Sequence, residues 1–260
     1  MFSLNNELAE DIHLSISKTV LKEIQNYFET ANFEDVDYND NIKSPQMMTI
    51  IIVAYWRSGS SFLGDLLQQN KNTYYSFEPL RMITVTDGNY IPVVNLSNAF
   101  DFLNHVLSCN FKAIAEYEKV VRKLYFFERN KFLQLYCKLM KANDTSEIME
   151  KVCSMSKLHI IKLIRLTLKQ VFQFMETLKN KETVKIVHLV RDPRAMFNSR
   201  FQLDWCMNDE CGDIKTTCGL MAENFETFNE MKKRFPYNVF QIKFEHLALD
   251  TINSSNELFK

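Results

Sequence analysis

The sequence predicts an α/β domain with a mainly parallel central sheet flanked by helices. Three observations predict it. Apolar, β-branched runs at 47–55, 158–164 and 184–190 alternate with stretches whose apolar residues fall at helical spacing. The first and third of these runs each pass directly into a short polar loop carrying arginine, Arg57-Ser58-Gly59-Ser60-Ser61 and Arg191-Asp192-Pro193-Arg194. The chain has 260 residues, 46% of them apolar and 21 of them Phe, which suits one large α/β domain with a sizeable core.

The elements follow in order. Residues 12–30 carry Ile12, Leu14, Ile16, Val20, Leu21, Ile24 and Phe28, close to a helical stripe. Residues 31–46 are acidic and turn-rich and read as a linker, so the chain divides into an N-terminal helix and linker over 1–44 and the main domain over 45–260. A strand at 47–55 is followed by a helix at 60–69 and a short strand from Tyr74 to Phe77. Residues 81–98 read as irregular and 99–141 as helical, with an aromatic density that is core packing. After the strand at 158–164 come a helix from Leu168 to Leu178, a strand from Val184 to Val190, and a helix starting at Pro193 with Asp192 as its N-cap. A helix at 217–234 and a strand from Asn238 to Phe244 complete the series. In such sheets ligands sit outside the carboxyl ends of the strands, where both arginine-bearing loops lie.

Composition excludes several classes. A net charge of -1 gives no overall pull toward nucleic acid, so no nucleic-acid partner is expected. Apolar runs of about nine residues are too short to cross a bilayer, and MFSLNNELAEDIHLSISK lacks the basic and apolar regions of a signal peptide. No membrane segment is therefore expected. The six cysteines match no common zinc spacing, and no metal is expected. They read either as buried thiols or, in an oxidising compartment, as including a bridge among Cys206, Cys211 and Cys218. Sequons stand at Asn95, Asn143 and Asn253.

The first loop has the parts of an anion site. A helix N-terminus offers backbone N–H groups and a favourable dipole, Gly59 permits close approach, Ser58, Ser60 and Ser61 add hydroxyls, and Arg57 can fork onto a phosphate or sulfate. The nucleoside-triphosphate loop G-x-x-x-x-G-K-[ST] is absent, which argues against a P-loop kinase. Lys162 lies within an apolar strand, where it must either reach out at the strand end or meet an anion. His188 reads as a core histidine.

YWRSGSSFLGDLL resembles the 5′-phosphosulfate loop of sulfotransferases, whose donor is 3′-phosphoadenosine 5′-phosphosulfate. KIVHLVRDPRAMFNSR is similar to that family's 3′-phosphate motif, an arginine ending a strand and a serine eight residues on, here Arg191 and Ser199. VFQIKFEHLALD resembles the segment Y-x-x-[IV]-[RK]-Y-E-D-L-A, with His246 where aspartate is usual. Together with SFEPLR and IIKLIRL, these point to Golgi carbohydrate sulfotransferases acting on the 6-OH of galactose, N-acetylgalactosamine or N-acetylglucosamine.

The resemblance implies a P-loop-containing nucleotide-hydrolase-like fold and a carbohydrate acceptor, a glycan or glycosaminoglycan chain. Arg57, Ser58, Gly59, Ser60, Ser61 and Phe62 would cradle the 5′-phosphosulfate, and Arg191 and Ser199 the 3′-phosphate. Glu78, 21 residues after Arg57, stands where a similar spacing places the catalytic glutamate of tyrosylprotein sulfotransferases and would be the base. Arg57 and, second, Lys162 would stabilise the leaving group. The resemblance implies the Golgi lumen as location. Such enzymes usually carry a membrane anchor at the start and run on past the E-D-L-A segment. The expectation is therefore a domain without those ends: a partial product, a soluble form, or a catalytically impaired binding or regulatory relative.

Overall fold

The computed structural model describes residues 47–70, 72–86, 89–90, 95–114, 116–123, 126–143, 145–207 and 210–258. The predicted N-terminal helix and linker lie outside the described residues.

Five strands form one parallel sheet: β1 (Met48–Ala54), β2 (Thr73–Phe77), β3 (Leu158–Leu163), β4 (Val184–Val190) and β5 (Val239–Lys243), in the order β2-β3-β1-β4-β5. The predicted α/β class with its parallel sheet is the architecture observed. Strand β1 is central because its run of Ile and Val has no polar face to turn to water. Ile51, Ile52 and Val53 are all buried, and Ile51 pairs with Ile161 on one side and Ile186 on the other. The chain leaves β1 toward β2 but leaves β3 and β4 in the opposite direction, so the carboxyl end of β1 is the switch point where such folds open a crevice.

Helix α1 (Ser60–Leu67) buries Ser60, Leu63, Gly64 and Leu67, the i, i+3, i+4, i+7 face of one helix. Gly64 lets it sit close to the sheet, since a Cβ there would collide with the Tyr75 hydroxyl. Between β2 and β3 the predicted irregular stretch contains a one-turn helix at Arg81–Thr84 and a two-residue hairpin pairing Val85–Thr86 with Asn89–Tyr90. The stretch 99–141, expected to be helical, holds α2 (Leu96–Leu107), α3 (Glu116–Lys123) and α4 (Lys131–Met140) among its described residues. Polar caps divide it. Cys109 takes a positive φ after α2, and the Asn130 side chain accepts from Leu133 N to start α4. Helix α5 (Ser146–Ser154), capped by Thr145, was not anticipated.

Helix α6 (Leu168–Thr177) opens with a capping box, Thr167 with Gln170. Helix α7 (Pro193–Arg200) has Asp192 as its cap, accepting from Arg194 N. The chain ends in α8 (Ile214–Arg234), α9 (Phe244–Leu249) and α10 (Thr251–Leu258). No helix among the described residues is long and apolar enough to cross a membrane. Disulfides join Cys109 to Cys153 and Cys206 to Cys211, while Cys137 and Cys218 stand outside both bridges. The second falls among the three cysteines singled out; the first does not.

Two histidines are core residues. His159 is fully buried against Ser76 Oγ at 2.9 Å, and His188 is buried with its Nδ1 3.1 Å from Gln241 Nε2. Burial lowers them from 6.5 to about 3 and about 4 respectively. The unfolded chain takes up a proton at each near pH 6.5 while the folded chain resists, so stability falls as pH falls below that point. The expected slope is about 1.4 kcal/mol per pH unit per histidine. Urea titrations between pH 6.5 and 5 measure it, and His159→Gln should halve it. Gly64→Ala should cost roughly 1–3 kcal/mol through overpacking. Adding Tyr75→Phe, which removes the nearest clashing atom, should restore part of that loss in the same assay.

Candidate active site

Loop 55–59 turns sharply after β1. Tyr55 O accepts from Ser58 N at 3.2 Å and from Ser58 Oγ at 2.7 Å, so Ser58, wholly buried, braces the loop with its hydroxyl. Arg57 (φ 65°) and Gly59 (φ 91°) take left-handed backbone, which reverses the chain into α1. Gly59 is obligatory for a second reason: a Cβ would land in the Phe244 ring of α9. Two buried polar groups fix the loop from outside. Arg200 forks onto the Trp56 carbonyl through Nε (3.2 Å) and Nη2 (3.1 Å), and its Nη1 donates to Cys211 O (2.8 Å) and Thr217 Oγ1 (3.0 Å). Asn224 Nδ2 donates to Tyr55 Oη at 2.5 Å while its Oδ1 accepts from Leu168 N. Burial lowers Arg200 only to about 10, so it stays cationic at neutral pH.

The second arginine-bearing loop meets the first. Arg191 Nη1 donates to Arg57 O at 2.8 Å, and Arg57 Nε donates to Ser199 Oγ at 2.9 Å. Arg57, Arg191 and Ser199, 142 residues apart at the extremes, thus form one contact group. Asp192 is taken by Arg194 at 2.5 Å and Glu245 by Asp192 N at 2.8 Å. The Arg191 guanidinium instead lies 4.5 Å over Phe244, with its buried Nε lacking a hydrogen-bond partner. Phe62, 42% exposed, meets Phe244 edge-on at 6.2 Å.

The third part comes from register. Phe77 pairs with Lys162 across β2 and β3, so Glu78, the next residue, stands at the same height as Lys162. Lys162 Nζ donates to Glu78 Oε1 at 2.9 Å and to Ser61 Oγ at 3.1 Å, and lies 4.0 Å over the Phe77 ring. Lys162 and Glu78 are 3% and 8% exposed. Of the two fates open to Lys162, meeting an anion is the one realised. Burial lowers the Lys162 ammonium from its usual range, with Glu78 pulling the other way. Arg165 Nη2 reaches Glu78 Oε2 at 3.8 Å from the far side. Glu78 holds its position with φ 47°.

All the candidates named from sequence therefore lie along one rim. Arg165, Trp56, Arg200 and Phe244 were not assigned. Arg165 follows Lys162 by three residues at the end of the same strand, a cue available in IIKLIRL. Arg200 and Phe244 carry no local cue, because their partners come from distant segments.

The sulfotransferase domain family matches residues 48–260. The chain belongs to the sulfotransferase domain family. Mouse (Mus musculus) carbohydrate sulfotransferase 4 is 25% identical to this sulfotransferase domain over 179 residues, covering 61% of this chain and 46% of that protein. Mouse carbohydrate sulfotransferase 5 is 26% identical over 195 residues, 67% of this chain and 49% of that one. The chain spans about half the length of these curated relatives. The solved sulfotransferase domain of the Synechococcus PCC 7002 olefin synthase superposes with a TM-score of 0.42 at 16% identity, over 84% of this chain and 74% of that one, too distant a likeness to carry an argument.

Gly59→Ala should lower stability by roughly 1–3 kcal/mol, from positive-φ strain and the collision with Phe244. Gly219→Ala, in an exposed turn of α8 with open space at its Cβ, should raise it by about 0.5–1 kcal/mol. Chemical denaturation of the two variants side by side tests the contrast.

Proposed function

We propose that this domain transfers a sulfuryl group from 3′-phosphoadenosine 5′-phosphosulfate to a sugar hydroxyl, the 6-OH of galactose, N-acetylgalactosamine or N-acetylglucosamine. The observation that carries the reading is the junction of Arg57, Arg191 and Ser199 beside the Glu78–Lys162–Ser61 cluster. The residues present fit the donor. No side chain caps the start of α1, and the buried Arg191 Nε lacks a hydrogen-bond partner.

On this reading Arg57, Gly59, Ser60, Ser61 and Phe62 line the 5′ end of the donor, with Ser58 shaping their loop. Arg191 and Ser199 bind the 3′-phosphate by charge-assisted hydrogen bonds. The donor supplies the sulfuryl group. Glu78 accepts the proton of the sugar hydroxyl as its oxygen bonds to sulfur. Lys162 and Arg57 take up the charge that gathers on the bridging oxygen as its bond to sulfur breaks. No metal enters this scheme. The two disulfides suit an oxidising compartment, which supports a Golgi-lumen location.

A second reading, a binding or regulatory relative without turnover, is favoured by one observation: both carboxylate oxygens of Glu78 are already engaged, by Lys162 and Arg165, before any sugar hydroxyl arrives.

Adenosine 3′,5′-bisphosphate should raise the thermal midpoint of the protein, and Arg191→Ala should abolish the shift. No shift at saturating ligand would falsify the donor assignment. Glu78→Gln keeps the hydrogen bond to Lys162 and should retain the shift while lowering transfer of labelled sulfate roughly 10²–10⁴-fold. Labelled-sulfate transfer by the unsubstituted chain to none of galactose, N-acetylgalactosamine or N-acetylglucosamine acceptors, with the shift intact, would select the second reading.

A further inference from the structure

We propose that Arg200 is a positioning residue: it fixes the spacing between the two phosphate-binding ends of the donor site, and so sets the preference for a nucleotide that carries both phosphates. This rests on the sulfuryl-transfer reading and deepens it.

Ser199 and Arg200 are the last two residues of α7. Neighbours on a helix point about 100° apart, so they serve different sides of it. Ser199 meets Arg57 Nε at the rim, at 2.9 Å. Arg200 turns inward, 3% exposed, and forks onto the carbonyl of Trp56, the residue before Arg57. Two consecutive residues of α7 thus hold two consecutive residues of the loop. The first pair is made by groups that the donor must itself engage. The second is not, because a carbonyl oxygen only accepts and offers nothing to a phosphate. When a dianion draws Arg57 away from Ser199, Arg200 still keeps α7 on the loop.

The remaining nitrogen anchors this tie to the body of the domain. Nη1 donates to Cys211 O at 2.8 Å and to Thr217 Oγ1 at 3.0 Å. Cys211 is bridged to Cys206, and Thr217 lies in the first turn of α8. The guanidinium also stands 4.9 Å over Phe197, one turn back on α7. All three nitrogens are used, in a planar fork that a lysine cannot copy. Asn224 grips the loop by a separate route, linking Tyr55 to α8 and to the start of α6.

The consequence is chelation. A ligand with two anchoring groups gains from the second only when both sites stand at the right separation. Loosening Arg200 lets α7 and the loop shift against each other. That penalises a ligand bound at both ends and spares one bound at a single end. A residue that only shaped the loop would weaken a 5′-phosphate ligand as much as the doubly phosphorylated one.

The test uses the whole chain and three nucleotides: adenosine 3′,5′-bisphosphate by calorimetry, and adenosine 3′-monophosphate and adenosine 5′-monophosphate by ligand-observed NMR. In Arg200→Lys the dissociation constant of the bisphosphate should rise roughly tenfold or more, and those of the monophosphates roughly threefold or less. Thr217→Val removes one bond of the same guanidinium from the α8 side. It should give the same ordering, with roughly a threefold rise for the bisphosphate, and it decides the matter should Arg200→Lys fail to fold. A loss for the 5′-monophosphate as large as that for the bisphosphate, or an unchanged bisphosphate constant, overturns the proposal while the donor reading stands. An unsubstituted chain that binds no bisphosphate removes both.

Discussion

The parallel register of β2 on β3 is the constraint from which the rest of the site follows. Strand β3 is buried along its whole length, so Lys162 cannot turn its ammonium to bulk water without leaving the sheet. Pairing Phe77 with Lys162 sets the next residue, Glu78, within hydrogen-bond reach, and the left-handed turn at Glu78 keeps it there. Each charge makes the burial of the other tolerable, and Arg165 and Ser61 satisfy further valences. The strand ends are thereby tied to the start of α1 through Ser61.

The two arginine-bearing loops are joined by a different device. Arg191 holds the carbonyl of Arg57, and Arg57 holds the hydroxyl of Ser199. These are bonds between like-charged side chains and neutral acceptors, so two guanidinium groups stand together without a carboxylate between them. That arrangement leaves an unmet demand for negative charge. On the proposed reading an entering dianion would replace the Ser199 contact of Arg57 while the bond from Arg191 to the loop carbonyl holds the backbone. The loop itself is fixed from the opposite side by Arg200 and Asn224, both buried. The side chains can exchange partners while the cradle stays in place.

Much of this was legible in sequence because it is local. Strands β1, β3 and β4 are runs of Ile, Val and Leu long enough to bury, and Asp192-Pro193 announces its own helix start. The loop 57–61 sits between unmistakable neighbours. What sequence did not show depends on pairing at a distance. Lys162 and Glu78 are 84 residues apart, and only the register tells which of two fates the lysine meets. Cys109 and Cys153 are joined across three helices, and Phe244 reaches Gly59 from the far end of the chain. Residues 99–141 read as helical and are so, but the breaks between their helices, set by single polar caps such as Asn130, do not interrupt the apolar periodicity.

The same buried pair bears on how the proposed transfer balances its charge. At rest both oxygens of Glu78 already have cationic partners, Lys162 and Arg165. Proton transfer to Glu78 would leave Lys162 and Arg165 without their counter-charge in a poorly solvated setting, where an unpaired cation is costly. On the proposed reading negative charge grows on the bridging oxygen at that same moment, next to Ser61 and within the reach of Lys162. The lysine then passes from one anion to the other. On this reading the protonation of Glu78 and the departure of the leaving group occur together. Separating the two steps would strand a charge at either end.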